Sequence, residues 1–134
     1  MAKQLRPGEV YDWVKGQADL AFARHLKLQQ DAYSAANPRD SGRMGVSWRT
    51  AQGSPDPSAA SEGEYGDQLA PPYKGQITMD GNWFISNNVP YAWRVANDPL
   101  WAKNGDGGPA WYTNISTQRR ARLEEELRIQ FRGQ

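Results

Sequence analysis

The sequence predicts a single α+β domain over residues 1–134: a long N-terminal helix, an antiparallel β meander of about four strands, a C-terminal helix and one long inserted loop. Three observations predict it. Apolar residues recur at helical spacing through the first quarter of the chain, alternate with polar ones in short runs between residues 46 and 95, and return to helical spacing after residue 114.

In the first segment Val10, Trp13, Val14, Ala21, Leu28 and Ala32 fall on one side of a helical wheel, with Asp12, Asp19, Lys27 and Gln30 opposite. This reads as one amphipathic helix from about Pro7 to Ala35. Pro7 suits a first turn, where a missing N–H costs nothing, and Asn37 with Pro38 marks the stop. Gly16 weakens the helix by about 1 kcal/mol relative to alanine, so tertiary packing must support it. Asp40, Ser41, Gly42 and Arg43 form a turn signal in which Gly42 is expected to take a positive φ. Val46, Trp48 and Thr50 then alternate with Ser47 and Arg49 as a first strand.

From Gly53 to Tyr73 apolar content collapses, and Pro55, Pro57, Pro71 and Pro72 join Gly53, Gly63 and Gly66. A loop this long is usually functional or disordered. Its composition predicts an assembly arm that is mobile on its own domain and could be shortened without lowering the melting temperature. Next, Ile77 and Met79, the Asp80-Gly81 turn, and Trp83 and Ile85 predict a two-residue β-hairpin. Asn87 and Asn88 make a further turn, and Val89, Tyr91, Trp93 and Val95 share one face of a last strand, with Pro90 at its start or edge. Asn104 to Pro109 is glycine-rich loop. From about Asn114 a helix follows, with Leu123, Leu127 and Phe131 on one face and Glu124 four residues before Arg128.

Composition narrows function mostly by exclusion. Lysine and arginine total 16 against 15 acidic residues, a net charge of +1 that lacks the basic surplus of a dedicated nucleic-acid binder. No cysteine is present, which excludes disulfides, thiolate metal sites and thiol nucleophiles and suits assembly in a reducing cytoplasm. No apolar run has membrane-spanning length, and no signal-peptide core follows Lys3 and Arg6. The single histidine, His25, sits beside the apolar stripe of the first helix and reads as a packing residue. Asp40 and Asp80 are explained as turn residues, while Glu62 and Glu64 lie in the long loop. The run Asn104 to Gly108 lacks the ligand spacing and closing glutamate of a calcium loop, and no phosphate-cradling or dinucleotide motif occurs. The expectation is therefore no enzyme, no metal and no cofactor. Six tryptophans and six tyrosines are the compositional surplus. Trp48, Trp83, Tyr91 and Trp93 alternate on predicted strands and read as sheet core. Trp101, Trp111 and Tyr112, in loop, and Tyr65, Leu69 and Tyr73, along the long segment, read as interface residues. Arg119, Arg120, Arg122, Arg128 and Arg132 interleave with Glu124, Glu125 and Glu126, the pattern of a solvated or subunit-contacting helix face.

The run Asp40, Ser41, Gly42, Arg43, Met44, then Trp48 and Arg49, then Gly53, Ser54 and Pro55, and later Ser86, Asn87, Asn88, Val89, Pro90, Tyr91, Ala92, resembles the HK97 gene product 10-like family of phage tail-component proteins. In that family a D-[ST]-G-R-[LM] stretch follows the first long helix and an N-x-x-P-Y-A stretch enters a late strand. The resemblance covers roughly the middle half of the chain, Asp40 to Val95. It departs where Val95 leads to Ala96, Asn97, Asp98 and Pro99 in place of a Glu-Gly stretch. The resemblance implies a structural virion subunit of the neck or tail top, a tail completion protein. Such a protein forms a homo-oligomeric, hexameric ring between the head connector or stopper and the tail terminator or tail tube. Genomic DNA would pass through the lumen non-specifically, and assembly would take place in the host cytoplasm. A tail terminator capping the tube is the nearest alternative. A nucleic-acid or carbohydrate-binding module that stacks ligands on Trp101, Trp111 and Tyr112 is the alternative from another class.

Overall fold

Pro7 opens the first helix, α1 (Pro7–Ala36), and Glu9 in the first turn accepts the Arg6 backbone N–H at 3.1 Å. Asn37 ends it, as expected from the Asn-Pro pair. This computed structural model describes residues 6–38, 40–97 and 111–132, and among them the fold is a mix of three α-helices and one two-stranded sheet. The buried face of α1 differs from the predicted stripe. Ala21, His25, Leu26, Gln30, Tyr33 and Ser34 are buried, whereas Val10, Trp13, Val14 and Leu28 are 36–42% exposed and Gln30, expected in solvent, is 2% exposed. The reason is that α1 packs on two sides. At 100° per residue Leu26, Gln30, Tyr33 and Ser34 span an arc of about 100°, and Ala21 and His25 point roughly 150° away from it. The first side meets the sheet and the long loop, and the second meets the C-terminal helix, α3 (Trp111–Arg132).

A 3-10 turn, Gly45–Ser47, precedes strand β1 (Trp48–Gln52), so Val46 lies before the strand that was expected to contain it. β1 pairs antiparallel with β2 (Trp83–Asn87) in the register Trp48↔Asn87, Thr50↔Ile85 and Gln52↔Trp83. The expected four-stranded meander is thus two strands among the described residues. Ile77 to Met79 is not a strand, and the turn falls at Met79 and Asp80 instead of Asp80 and Gly81, with no positive φ at Gly81. The Met79 N–H, which a hairpin ladder would use, donates instead to Asp19 on α1 at 2.9 Å. Lys15 completes this clamp, reaching Asp19 at 2.9 Å and Asp80 at 2.8 Å.

The other missing strand is a helix. Residues Ala92–Asn97 form α2, closed by Ala92 N–H to Val89 O at 3.0 Å and Val95 N–H to Tyr91 O at 3.1 Å. Proline is well tolerated just before a first helical turn, which is where Pro90 stands. Val89 and Val95 are each 4% exposed with Ala92 packed between them, while Tyr91 is 38% and Trp93 79% exposed. The run Val-Pro-Tyr-Ala-Trp-Arg-Val fits periods of two and of three alike, and only packing separates them.

The core gathers Tyr33, Met44, Trp48, Ala70, Val89 and Val95, with Ala59, Ile85 and Ile115 against its edge. Tyr33 stacks on Trp48 at 4.8 Å between ring centres, and the Trp48 indole N–H donates to Asn37 Oδ1 at 3.0 Å. Ala59 and Ala70 belong to the long loop, which corrects the expectation of an arm standing free of its own domain. As predicted, residues 53–73 contain no helix or strand. Polar side chains attach them. Ser34 Oγ donates to Gly45 O at 2.5 Å and accepts Ala70 N–H at 2.9 Å. Gln30 donates to Pro71 O at 2.9 Å and accepts the Thr50 hydroxyl at 2.6 Å. Ser47 Oγ donates to Arg43 O at 2.6 Å and accepts Ala60 N–H at 3.0 Å. An apolar-content argument misses such a segment because backbone groups, not side chains, are what it offers to be bound.

Candidate functional site

The two stretches that carry the family resemblance converge. Asp40, Ser41, Gly42, Arg43 and Met44 form one wall of an open cleft of about 490 Å³, Tyr91, Arg94 and Val95 form another, and Glu62 to Glu64 of the long loop close it. Gly42 makes this junction sterically possible. Its φ is +84°, and a Cβ there would collide with the Gly66 carbonyl oxygen. Tyr65 and Gly66 N–H both donate to Ser41 O, at 2.7 and 3.3 Å, and Arg43 Nε donates to Ala60 O at 2.8 Å. From the second stretch Asn87 Nδ2 donates to Met44 O at 2.7 Å, and Asn88 Nδ2 donates to Pro57 O at 2.8 Å. The two asparagines of the second motif therefore tie it to the first motif and to the loop.

A second surface is the helix pair. α1 and α3 run antiparallel, joined near one end by the Tyr33 and Ser116 hydroxyls. Twenty-six residues of α1 precede Tyr33 and 16 of α3 follow Ser116, so α1 is the longer by about ten residues, roughly 15 Å of helix, on that side of the junction. Val10 and Val14 are each 42% exposed, and Leu20, Leu28 and Ile129 are 58%, 40% and 59% exposed. Val10, Val14, Ala21 and Leu28 lie within an arc of about 40°, in which Ala21 is buried and the other three are 40–42% exposed.

Compared with protein-family models, curated proteins and solved structures, the chain gives no match.

Of the residues singled out from sequence, Asp40, Gly42, Arg43 and Tyr91 line the cleft, Trp48 is core, Asn88 is a loop anchor, and Pro90 and Ala92 set the entry to α2. Glu62 and Glu64 reach the cleft rim, while His25 is remote from it, in the α1–α3 seam beside Arg119 and Glu126. Burial and the Arg119 charge lower the His25 pKa below its ordinary value, against a smaller opposing pull from Glu126. Among the described residues no cluster of three or more histidine, aspartate or glutamate side chains could hold a metal, and no helix is long and apolar enough to cross a membrane.

The interface residues expected from sequence separate. Trp101 and the side chains of Trp111 and Tyr112 lie outside the described residues. Tyr65 is structural, its hydroxyl donating to Ser61 O at 2.8 Å. Tyr73 is 36% exposed and packs edge-on against Trp83 at 5.2 Å, and Leu69 is 50% exposed. Sequence reasoning missed Gln30, Ser34 and Ser47, whose polarity argued for solvent. No signal in the chain marks them, because their partners are loop backbone groups up to 41 residues away.

Proposed function

We propose that this chain is a structural virion protein of a tailed bacteriophage, a tail completion or neck subunit that joins the head connector to the tail without catalysis. The subunit associates with itself as a hexameric ring, contacts connector or stopper proteins above and tail terminator or tube proteins below, and lets DNA through its lumen without reading sequence. The observation that carries this reading is the set of exposed apolar side chains along α1, Val10, Val14, Leu20 and Leu28. An apolar face at helical spacing that its own domain leaves to water is the kind of surface a neighbouring subunit covers. The meeting of the two motif stretches at one cleft adds support. It gives the resemblance a common structural purpose, fixing the loop and α2 around the Asp40–Met44 turn.

The experiment is a gene knockout in the parent phage with complementation from a plasmid, followed by electron microscopy of lysates and sedimentation of the purified chain. Filled heads and finished tails that do not join, together with ring-sized particles of the purified protein, are expected. Joined infectious particles in the knockout, or a chain that stays monomeric at concentrations far above its cellular level, overturn the reading.

A further inference from the structure

Among the described residues, three buried side-chain atoms have no hydrogen-bond partner, and all three lie in the seam between α1 and α3. They are His25 Nδ1 on α1 and Arg119 Nε and Glu126 Oε2 on α3. His25 is 7% and Arg119 9% exposed, and Arg119 pairs with Glu126 at 2.8 Å. A buried ion pair gains from its own attraction but must offset the desolvation of both charges. Leaving one atom of each partner unsatisfied removes the compensation that makes such a pair favourable. Among the described side chains of α3, Leu123 and Leu127 are only partly buried and Ile129 is exposed. The core itself draws on α1, the 3-10 turn, β1, the loop and α2, with Ile115 of α3 only at its edge.

We propose that α3 is a detachable strap, opening from α1 as a unit while the core stays folded, and that uptake of a proton by His25 promotes the opening. In the closed state burial and the Arg119 charge disfavour the protonated form of His25. The charged groups that act on it are Arg119, which repels a proton, and Glu126, which attracts one. Closed, a protonated His25 would add a buried cation next to Arg119; open, it is solvated. The open state therefore binds the proton more readily, and lowering the pH draws α3 away from α1.

Hydrogen exchange of the full chain, read by mass spectrometry at pH 7.5 and 5.5 and corrected for intrinsic rates, tests this. Amides of Ile115 to Ile129 should exchange at least tenfold faster than those of β1 and β2. Their opening should grow by up to about tenfold per pH unit below 6.5, while the sheet does not follow. The triple variant His25→Leu, Arg119→Met, Glu126→Leu replaces the polar seam with apolar groups of similar volume and should slow α3 exchange and abolish its pH response. His25→Gln, the milder change, should remove the pH response alone and decides the proton question if the triple variant does not fold. Equal protection of α3 and the sheet in the wild-type chain overturns the strap. A pH slope that persists in His25→Gln overturns the role of His25.

Discussion

Gly42 is held at φ +84° with the Gly66 backbone where its Cβ would be, so both the torsion and the contact exclude any other residue. Gly42→Ala should lose about 2 kcal/mol or more in urea denaturation, the left-handed torsion alone accounting for roughly 1–2 kcal/mol of it. Ser34 is the second single-residue test. It is 0% exposed and connects Gly45 O to Ala70 N–H, so Ser34→Ala strands two backbone groups at about 1–3 kcal/mol each. A loss under half a kcal/mol in the same assay would show that water replaces the hydroxyl. His25 sets a pH dependence. Its folded pKa is below its ordinary 6.5, so the unfolded chain takes up the proton first, and the stabilisation present above pH 6.5 drains as the pH falls through the folded value. Melting temperature should therefore decline from pH 7 to 5, and His25→Gln should flatten that slope.

At the level of elements, the long loop and α2 behave differently from their composition. Replacing Ser54 to Pro71 with a short Gly/Ser link removes Ala59 and Ala70 from the core and strands Ser34, Ser47 and Gln30 in its interior. The expected result is a fall in melting temperature of about 10 °C or more, since each lost kcal/mol shifts a domain of this size by several degrees. An unchanged melting curve would return the loop to the status of a free arm. For α2 the discriminating substitution is Val95→Asp, which places a carboxylate at a position 4% exposed and should cost several kcal/mol. Had this stretch remained a strand, Tyr91, Trp93 and Val95 would share one face. Instead Val89, Ala92 and Val95 do so at three-residue spacing, the spacing of a helical turn.

For the whole molecule the question is which surface is left over once the domain has folded. Val10 and Val14 are each 42% exposed, so Val10→Ser with Val14→Ser should leave urea stability within about 0.5 kcal/mol while abolishing the proposed ring, read by sedimentation velocity. A ring that assembles normally from this variant would move the subunit contact elsewhere on the molecule. A melting loss of several degrees would place these valines in the subunit's own packing.

By itself the sequence determined the span of α1 to within a residue at each end, the positive φ of Gly42, the irregular backbone of residues 53–73 and the existence of the C-terminal helix. These are local consequences of proline, glycine and helical periodicity, and local torsional preferences act without knowing their partners. Tertiary structure alone decided that β2 pairs with β1 and not with residues 77–79, that residues 92–97 form a helix, and that Gln30 faces inward. Each of these turns on where a backbone group finds its partner. Met79 N–H goes to Asp19, Pro71 O to Gln30 and Met44 O to Asn87, across separations of 60, 41 and 43 residues. Burial of backbone groups must be compensated wherever the chain happens to bring a donor or acceptor, and no short window of sequence contains that information.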